Sequence, residues 1–187
     1  MKSKGIIYFL SKVPDSRRGQ GKRHYQELIL LIVLMATMSG YNGYRAIGDF
    51  IEKNYDDLLL YLKPDKDRLP TFYTVRRVLM NISYEELSKQ FYQWSKSYIE
   101  IKSWEWLSID GKAIRGTSNK HANYQDFVNM VSIFASDQKM VLATGKIINS
   151  KESEIPTVRD LIKALDIEGA VLTLDALHCQ KKQSKLL

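Results

Sequence analysis

The chain has little cysteine, proline or glycine and no long apolar run. Its single cysteine, Cys179, excludes a disulfide framework and is typical of the reducing cytoplasm, where we expect the protein to be located. Four prolines and ten glycines among 187 residues are too few for a low-complexity linker. The most apolar run, residues 28–38, has about half of the roughly 20 residues that cross a bilayer. It therefore predicts a buried helix, and we expect no membrane partner.

Acidic residues are nearly absent from the N-terminal segment. Residues 1–24 contain seven lysines and arginines but one acid, Asp15, which places a net charge of +6 there out of +7 for the whole chain. A basic segment attached to a near-neutral body favours binding to phosphate, and hence to nucleic acid. A solvated terminus that promotes solubility is the alternative. The residues expected to contact DNA here and on a later helix are Arg17, Arg18, Lys22, Arg23, Arg76 and Arg77.

Apolar periodicity predicts a helical region after this segment. Apolar side chains recur at helical spacing after residue 25, and the pair Ser83 and Glu86 forms a capping box before the last helix. The predicted helices cover residues 25–38 and 44–54, begin after residues 70–71, and begin again after residue 83. On the last helix we expect an inner stripe of Leu87, Phe91, Trp94, Tyr98 and Ile101.

Near residue 103 the pattern changes to strands. Two of them flank a polar turn and form a hairpin, and a helix over residues 154–165 precedes the final strand. The predicted strands cover residues 104–109, 127–135, 140–148 and 170–174. We therefore predict an α+β or α/β protein with three parts. They are a basic arm (1–24), an all-helical domain (25–101) and a mixed-sheet domain (103–187).

Two aspartates, Asp110 and Asp175, each end an apolar run. If the last strand lies parallel to the first, both carboxylates reach the same edge of the sheet, and such oxygen ligands suit Mg²⁺. Alternatively, Asp110 forms a turn with Gly111, and Asp175 caps a following helix. Lys112 and Arg115 follow Asp110 closely and are either phosphate contacts or ordinary loop charges.

Six short motifs follow one another along most of the chain. They cover residues 15–25, 40–50, 69–78, 109–116, 150–156 and 173–180. In this order they resemble the bacterial insertion-sequence transposases of the ISAs group, also called H-repeat-associated proteins. The fifth motif departs from the family's Lys-Ser-Asn-Glu-Ile pattern in the two residues that follow Lys151.

This resemblance implies an incomplete ribonuclease-H-like domain with an Asp-Asp-Glu metal triad, in which Asp110 and Asp175 bind Mg²⁺ or Mn²⁺ and are catalytic. It implies metal-dependent cutting and joining of double-stranded DNA at transposon ends, with a homo-oligomer left open. The glutamate is expected beyond residue 187, and the tail 181–187 does not resemble the family's continuation. We therefore expect a truncated transposase that is inactive alone, or a remnant that only binds DNA or a full-length partner.

Overall fold

The computed structural model describes residues 5–98, 104–114, 128–147, 161–163 and 169–173. In these residues helices come first and a four-stranded mixed sheet follows, which confirms the predicted α+β class. The helices are α1 (Ile6–Leu10), α2 (Gln26–Met38), α3 (Tyr44–Lys53), α4 (Tyr55–Leu62), α5 (Phe72–Asn81) and α6 (Tyr84–Lys96). The strands are β1 (Trp106–Ile114), β2 (Val128–Ala135), β3 (Met140–Ile147) and β4 (Val171–Thr173). No described helix is long and apolar enough to cross a membrane.

The chain divides into two compact units, Met1–Phe91 and Tyr92–Leu187. Helix α2 is the centre of the first, or helical, unit because it is apolar around its whole circumference. Ile29, Ile32 and Ala36 on this helix have no exposed surface. Helices α1, α3 and α5 all contact it. The apolar run at residues 28–38 is therefore part of a core helix, as the sequence predicts.

Helices α3 and α5 pack together at a glycine. Ile47, Phe50 and Ile51 form the buried face of α3, at the spacing of three and four that the sequence predicts. Between them, Gly48 lies against Phe72, so closely that a Cβ atom at position 48 would be 2.8 Å from the Cβ atom of Phe72. This contact lets the two helices approach more closely than any larger residue would allow.

The N-terminal segment differs from the predicted arm. Residues 6–10 form α1, and Phe9, Leu10 and Val13 are buried. The buried side chain of Gln26 then fixes the next turn, because its Nε2 donates to the carbonyl oxygen of Val13 at 3.0 Å. These apolar residues lie among lysines in the sequence, and burying them offsets the cost of ordering the chain. From Ile6 onward, the segment is part of the helical unit.

Helix α6 buries the predicted stripe only in part, since Leu87, Phe91 and Trp94 are half-buried. Its N-terminus is capped as expected, since the backbone N–H of Glu86 donates to Oγ of Ser83 at 3.2 Å. However, the buried side chains are Gln90 and Ser95, whereas Tyr98 is 47% exposed. The boundary between the two compact units falls inside this helix, after Phe91, and not near residue 101. Different turns of the helix therefore belong to different cores.

In the second, or sheet, unit the strand order is β3-β2-β1-β4. β1, β2 and β3 are antiparallel neighbours, and β2 and β3 form the predicted hairpin. β4 pairs in parallel with β1, as predicted, with Leu107 opposite Leu172. Leu107 and Ile133 on one side of the sheet are completely buried. That side forms the core of this unit.

Candidate functional site

Asp110 lies inside β1, not at its end as the sequence predicted. The strand continues to Ile114, and Asp110 pairs with Ser132 of β2. Gly111 pairs with Val131 in the same ladder, so the expected turn does not form. The side chain of Asp110 is exposed, on the opposite side of the strand from buried Ile109.

The strand register gives Asp110 polar neighbours across the sheet. Ser132 of β2 pairs with both Asp110 and Thr144 of β3, so these residues form one row on the same side. The next row along the strands contains Lys112, then Met130, then Lys146. In this arrangement the Asp110 carboxylate, with the hydroxyls beside it, could bind a cation. The two lysines of the next row could bind a phosphate close to that cation.

Two predicted site residues lie outside the described residues, namely Asp175 as a metal ligand and Arg115 as a phosphate contact. In the part of the chain that the structure does describe, no three His, Cys, Asp or Glu side chains gather as metal ligands. Lys146 was not singled out in the sequence. Its place beside Lys112 depends on the pairing of β1, β2 and β3, which no local pattern reveals.

In the helical unit, Asp15 holds Arg17 in place. The Arg17 guanidinium binds both carboxylate oxygens, with Nε to Oδ1 and Nη2 to Oδ2 each at 2.9 Å, and Nη2 also donates to the carbonyl oxygen of His24 at 2.9 Å. These hydrogen bonds keep the pKa of Asp15 below its ordinary value. The Arg17 side chain is 7% exposed, and its Nη1 is buried without a hydrogen-bond partner among the described residues.

Arg17 lines an open cavity of about 390 Å³, which we call the arginine cavity. Its lining residues are Arg17, Gln20, Arg23, His24, Arg68, Leu69, Thr71, Tyr73, Thr74 and Arg77. None of these ten is acidic, and four are arginines. Burial lowers the pKa of His24, and the positive charges of Arg68 and Arg17 lower it further. The cavity is therefore a strongly cationic site.

The arginine cavity includes some predicted DNA-binding residues and not others. Arg17, Arg23 and Arg77 line it. Lys22 instead lines a smaller neighbouring cavity of about 120 Å³, and its Nζ lies 3.6 Å from Oδ2 of Asp15. Arg76 points toward Tyr44, with its guanidinium carbon 6.0 Å from the ring centroid. Arg18 is exposed and lines neither cavity.

The sequence interpretation did not include Arg68 and His24 as binding residues. Arg68 ends a loop of mixed charge, and His24 is the last residue of the predicted basic arm. Both line the arginine cavity only because the segment before α2 and the loop before α5 fold onto the same part of the helical unit. The available signal was indirect: each of these residues lies within a few positions of other basic residues.

Comparisons with known proteins identify relatives over nearly the whole chain. Residues 7–95 match the family model described as DDE_Tnp_1-associated. The chain is 31% identical over 182 residues to "Putative transposase YncI" of Escherichia coli strain K12, covering 97% of this chain and 72% of that protein. No solved structure matches the chain significantly.

Two other relatives are longer than this chain. It is 32% identical to "Putative transposase YncI" of Escherichia coli O157:H7, and 29% identical to "H repeat-associated putative transposase YhhI" of strain K12. Each alignment covers 97% of this chain, but only 46% and 47% of the respective relatives. The chain therefore spans about half the length of these two proteins.

Proposed function

The chain belongs to the H repeat-associated transposase family, and we propose that it takes part in metal-dependent cleavage and joining of DNA at transposon ends. Its helical unit would bind the DNA, and its sheet unit would supply Asp110 and Asp175 to a ribonuclease-H-like catalytic centre. The single observation that carries the catalytic part is the register of β1 against β4.

That register has the same offset as the two aspartates. Trp106 pairs with Val171 and Ser108 with Thr173, so partners are 65 residues apart in the sequence. Asp110 and Asp175 are also 65 residues apart. If the register continues for two more residues, Asp175 lies beside Asp110 on the neighbouring strand, about 4.8 Å away along the hydrogen-bonding direction. The two would then extend the polar row of Ser132 and Thr144.

Two adjacent carboxylates fit a divalent metal such as Mg²⁺ or Mn²⁺. Asp110 is exposed and faces away from the apolar core, so its carboxylate is accessible to a hydrated ion. When bound, a pair of such ions supplies activation of the attacking oxygen and stabilisation of the leaving oxygen. Lys112 and Arg115 follow in sequence and would hold the phosphate backbone near the carboxylates.

The helical unit is the proposed DNA-binding part. Its basic residues are Arg17, Arg18, Lys22, Arg23, Arg76 and Arg77, and they would contact phosphates of double-stranded DNA. The arginine cavity lies wholly within this unit, so binding would not require the carboxylates. This observation also favours a second candidate function, in which the chain binds DNA or a full-length transposase without cutting.

Metal binding gives a direct test of the catalytic part. Addition of Mn²⁺ should selectively broaden the backbone NMR signals of β1 around Asp110, and Asp110→Asn should remove this broadening. Asp137→Asn is the matched control, since Asp137 is an exposed acid in the turn between β2 and β3 of the same unit. Broadening that survives Asp110→Asn, or that centres on other residues, would contradict the proposed site.

A further inference from the structure

We propose that the arginine cavity seats one particular backbone phosphate of duplex DNA, with Arg17, Arg68 and Arg77 as its main donors. The inference rests on the proposed function, because it assigns a specific site within the DNA-binding part. It also separates the arginines of the cavity from the other basic residues of the helical unit, whose phosphate contacts would lie outside the cavity and be weaker.

One nitrogen of Arg17 has no hydrogen-bond partner among the described residues. Nε and Nη2 are already bonded to Asp15 and to the carbonyl oxygen of His24. Nη1 is buried with no partner among the described residues, although the side chain lines the cavity. Because an unpaired buried donor is costly, an anion that enters the cavity and displaces the atoms covering Nη1 gains more from that hydrogen bond than an anion bound by surface charges. A phosphate oxygen is such an acceptor.

The positive charge of the arginine cavity is not balanced by an acidic lining residue. Asp15 pairs with Arg17, but no acid lines the cavity to balance Arg23, Arg68 and Arg77. The lowered pKa of His24 agrees, since after burial it is caused by Arg68, Arg17, Lys66 and Arg23. An anion that enters the cavity would offset the repulsion among these groups.

Helix α5 begins at the arginine cavity. Thr71 is the N-cap residue of α5, and its side chain makes no capping hydrogen bond. Thr71 and Thr74 both line the cavity, so their hydroxyls are potential donors to a phosphate. The N-terminus of this ten-residue helix adds partial positive charge. Because the cavity is open, it suits a phosphate on a continuous backbone.

Two adjacent arginines provide the test. Arg76 and Arg77 are both exposed on α5, but only Arg77 lines the arginine cavity. Arg77→Gln should weaken binding to a fluorescent duplex by roughly tenfold and lower the slope of log affinity against log salt by about one. Arg76→Gln should weaken it by less than about threefold. In parallel, inorganic phosphate should shift the His24 imidazole NMR signals, and Arg77→Gln should suppress that shift.

The remaining outcomes separate the two proposals. Equal losses for Arg76→Gln and Arg77→Gln, with unmoved His24 signals, would overturn the phosphate site but leave DNA binding intact. A His24 shift that depends on Arg77, together with no loss of duplex affinity in Arg77→Gln, would overturn the assignment to DNA. If phosphate shifts the His24 signals of the unsubstituted chain but the chain binds no duplex, the proposed function is wrong. The arginine cavity would then bind an anion other than DNA. Should Arg77→Gln fail to fold, Arg68→Gln replaces it, with Arg18→Gln as its control.

Discussion

In the helical unit, basic side chains gather around one cavity at the start of α5, whereas in the sheet unit charged residues stand in rows across one side of β1 to β3. The difference follows from the two backbones. Helices bury a stripe and leave charge at their ends and outer surfaces, while strands send alternate residues to opposite sides. A cavity can surround one phosphate from several directions, whereas a sheet presents a carboxylate to an open surface. The two units therefore match the different tasks proposed for them, DNA binding and catalysis.

The largest expected effect comes from a substitution in the sheet unit, which should abolish DNA cleavage without weakening DNA binding. If the chain nicks a transposon-end duplex, Asp110→Ala should reduce that metal-dependent nicking by about a thousandfold, because the carboxylate proposed to hold the metal is lost. Affinity for the duplex should change by less than about twofold, since Asp110 carries none of the positive charges proposed to contact phosphate.

The measurements are gel analysis of nicked product and fluorescence anisotropy, with Asp137→Ala as the control that keeps both properties. Nicked product that persists in Asp110→Ala would contradict the proposal that the sheet unit carries the catalytic carboxylates. No product from the unsubstituted chain, with DNA binding intact, would instead favour the candidate that binds without cutting.

A second substitution tests the packing of the helical unit. Gly48→Ala should lower the free energy of unfolding by about 1–3 kcal/mol, because the new Cβ would lie 2.8 Å from the Cβ atom of Phe72. The gain in helix propensity, about 1 kcal/mol, opposes this cost and does not remove it. Thermal melting by circular dichroism measures the change. Gly19→Ala is the control, since no atom lies within 4 Å of a Cβ built there.

A third substitution tests the sheet unit in the same way. Ser95 has no exposed surface, and its Oγ donates to the carbonyl oxygen of Leu142 in β3 at 2.7 Å. Ser95→Ala should cost about 1–2 kcal/mol of unfolding free energy, because that buried carbonyl loses a donor. Ser97→Ala on the following turn removes an exposed hydroxyl and should be nearly neutral. Equal effects of the two changes in urea titrations would refute this account of the contact.

The smallest expected effect is a pH dependence of DNA binding. The pKa of His24 is lowered in the free protein, so folding disfavours its charged form, and stability declines as pH falls below the ordinary value near 6.5. A phosphate in the arginine cavity would raise this pKa, and the complex would then take up a proton. Between about pH 7.5 and about pH 6, duplex affinity at fixed salt should therefore rise, by about threefold.

His24→Gln, which cannot take up the proton, should flatten this dependence in the same anisotropy titrations. Affinity that is independent of pH in the unsubstituted chain would show that no phosphate lies near His24.

Local patterns predicted much of the fold, and long-range contacts explain most of the errors. Periodicity identified α2, α3 and α5, and the hairpin of β2 and β3, because each buries a regular face. It failed at Asp110, where the Asp-Gly pair favours a turn but pairing with β2 carries β1 on to Ile114. It was only partly right on α6, where Leu87 packs in the core of the helical unit but the last turn packs in the sheet unit through Ser95. The tertiary context decided both outcomes.

The candidate sites show the same limit. Net charge indicated Arg17, Arg23 and Arg77 as binding residues, and strand patterns indicated Asp110. Arg68 and Lys146 could not be singled out in this way, since their positions beside other cations arise from the folded helical unit and from strand register.

The pairing of Asp15 with Arg17 has a further consequence for recognition. A free arginine loses on the order of 2 kcal/mol of rotamer entropy when it is immobilised on a ligand. Arg17 is already immobilised by two bonds to Asp15 and one to the backbone, so this loss occurs during folding and not during association. A preorganised donor has a fixed direction, and it disfavours phosphates that approach with a different geometry. In the proposed phosphate site, Asp15 would therefore let the most basic segment of the chain discriminate among phosphates by geometry as well as attract them.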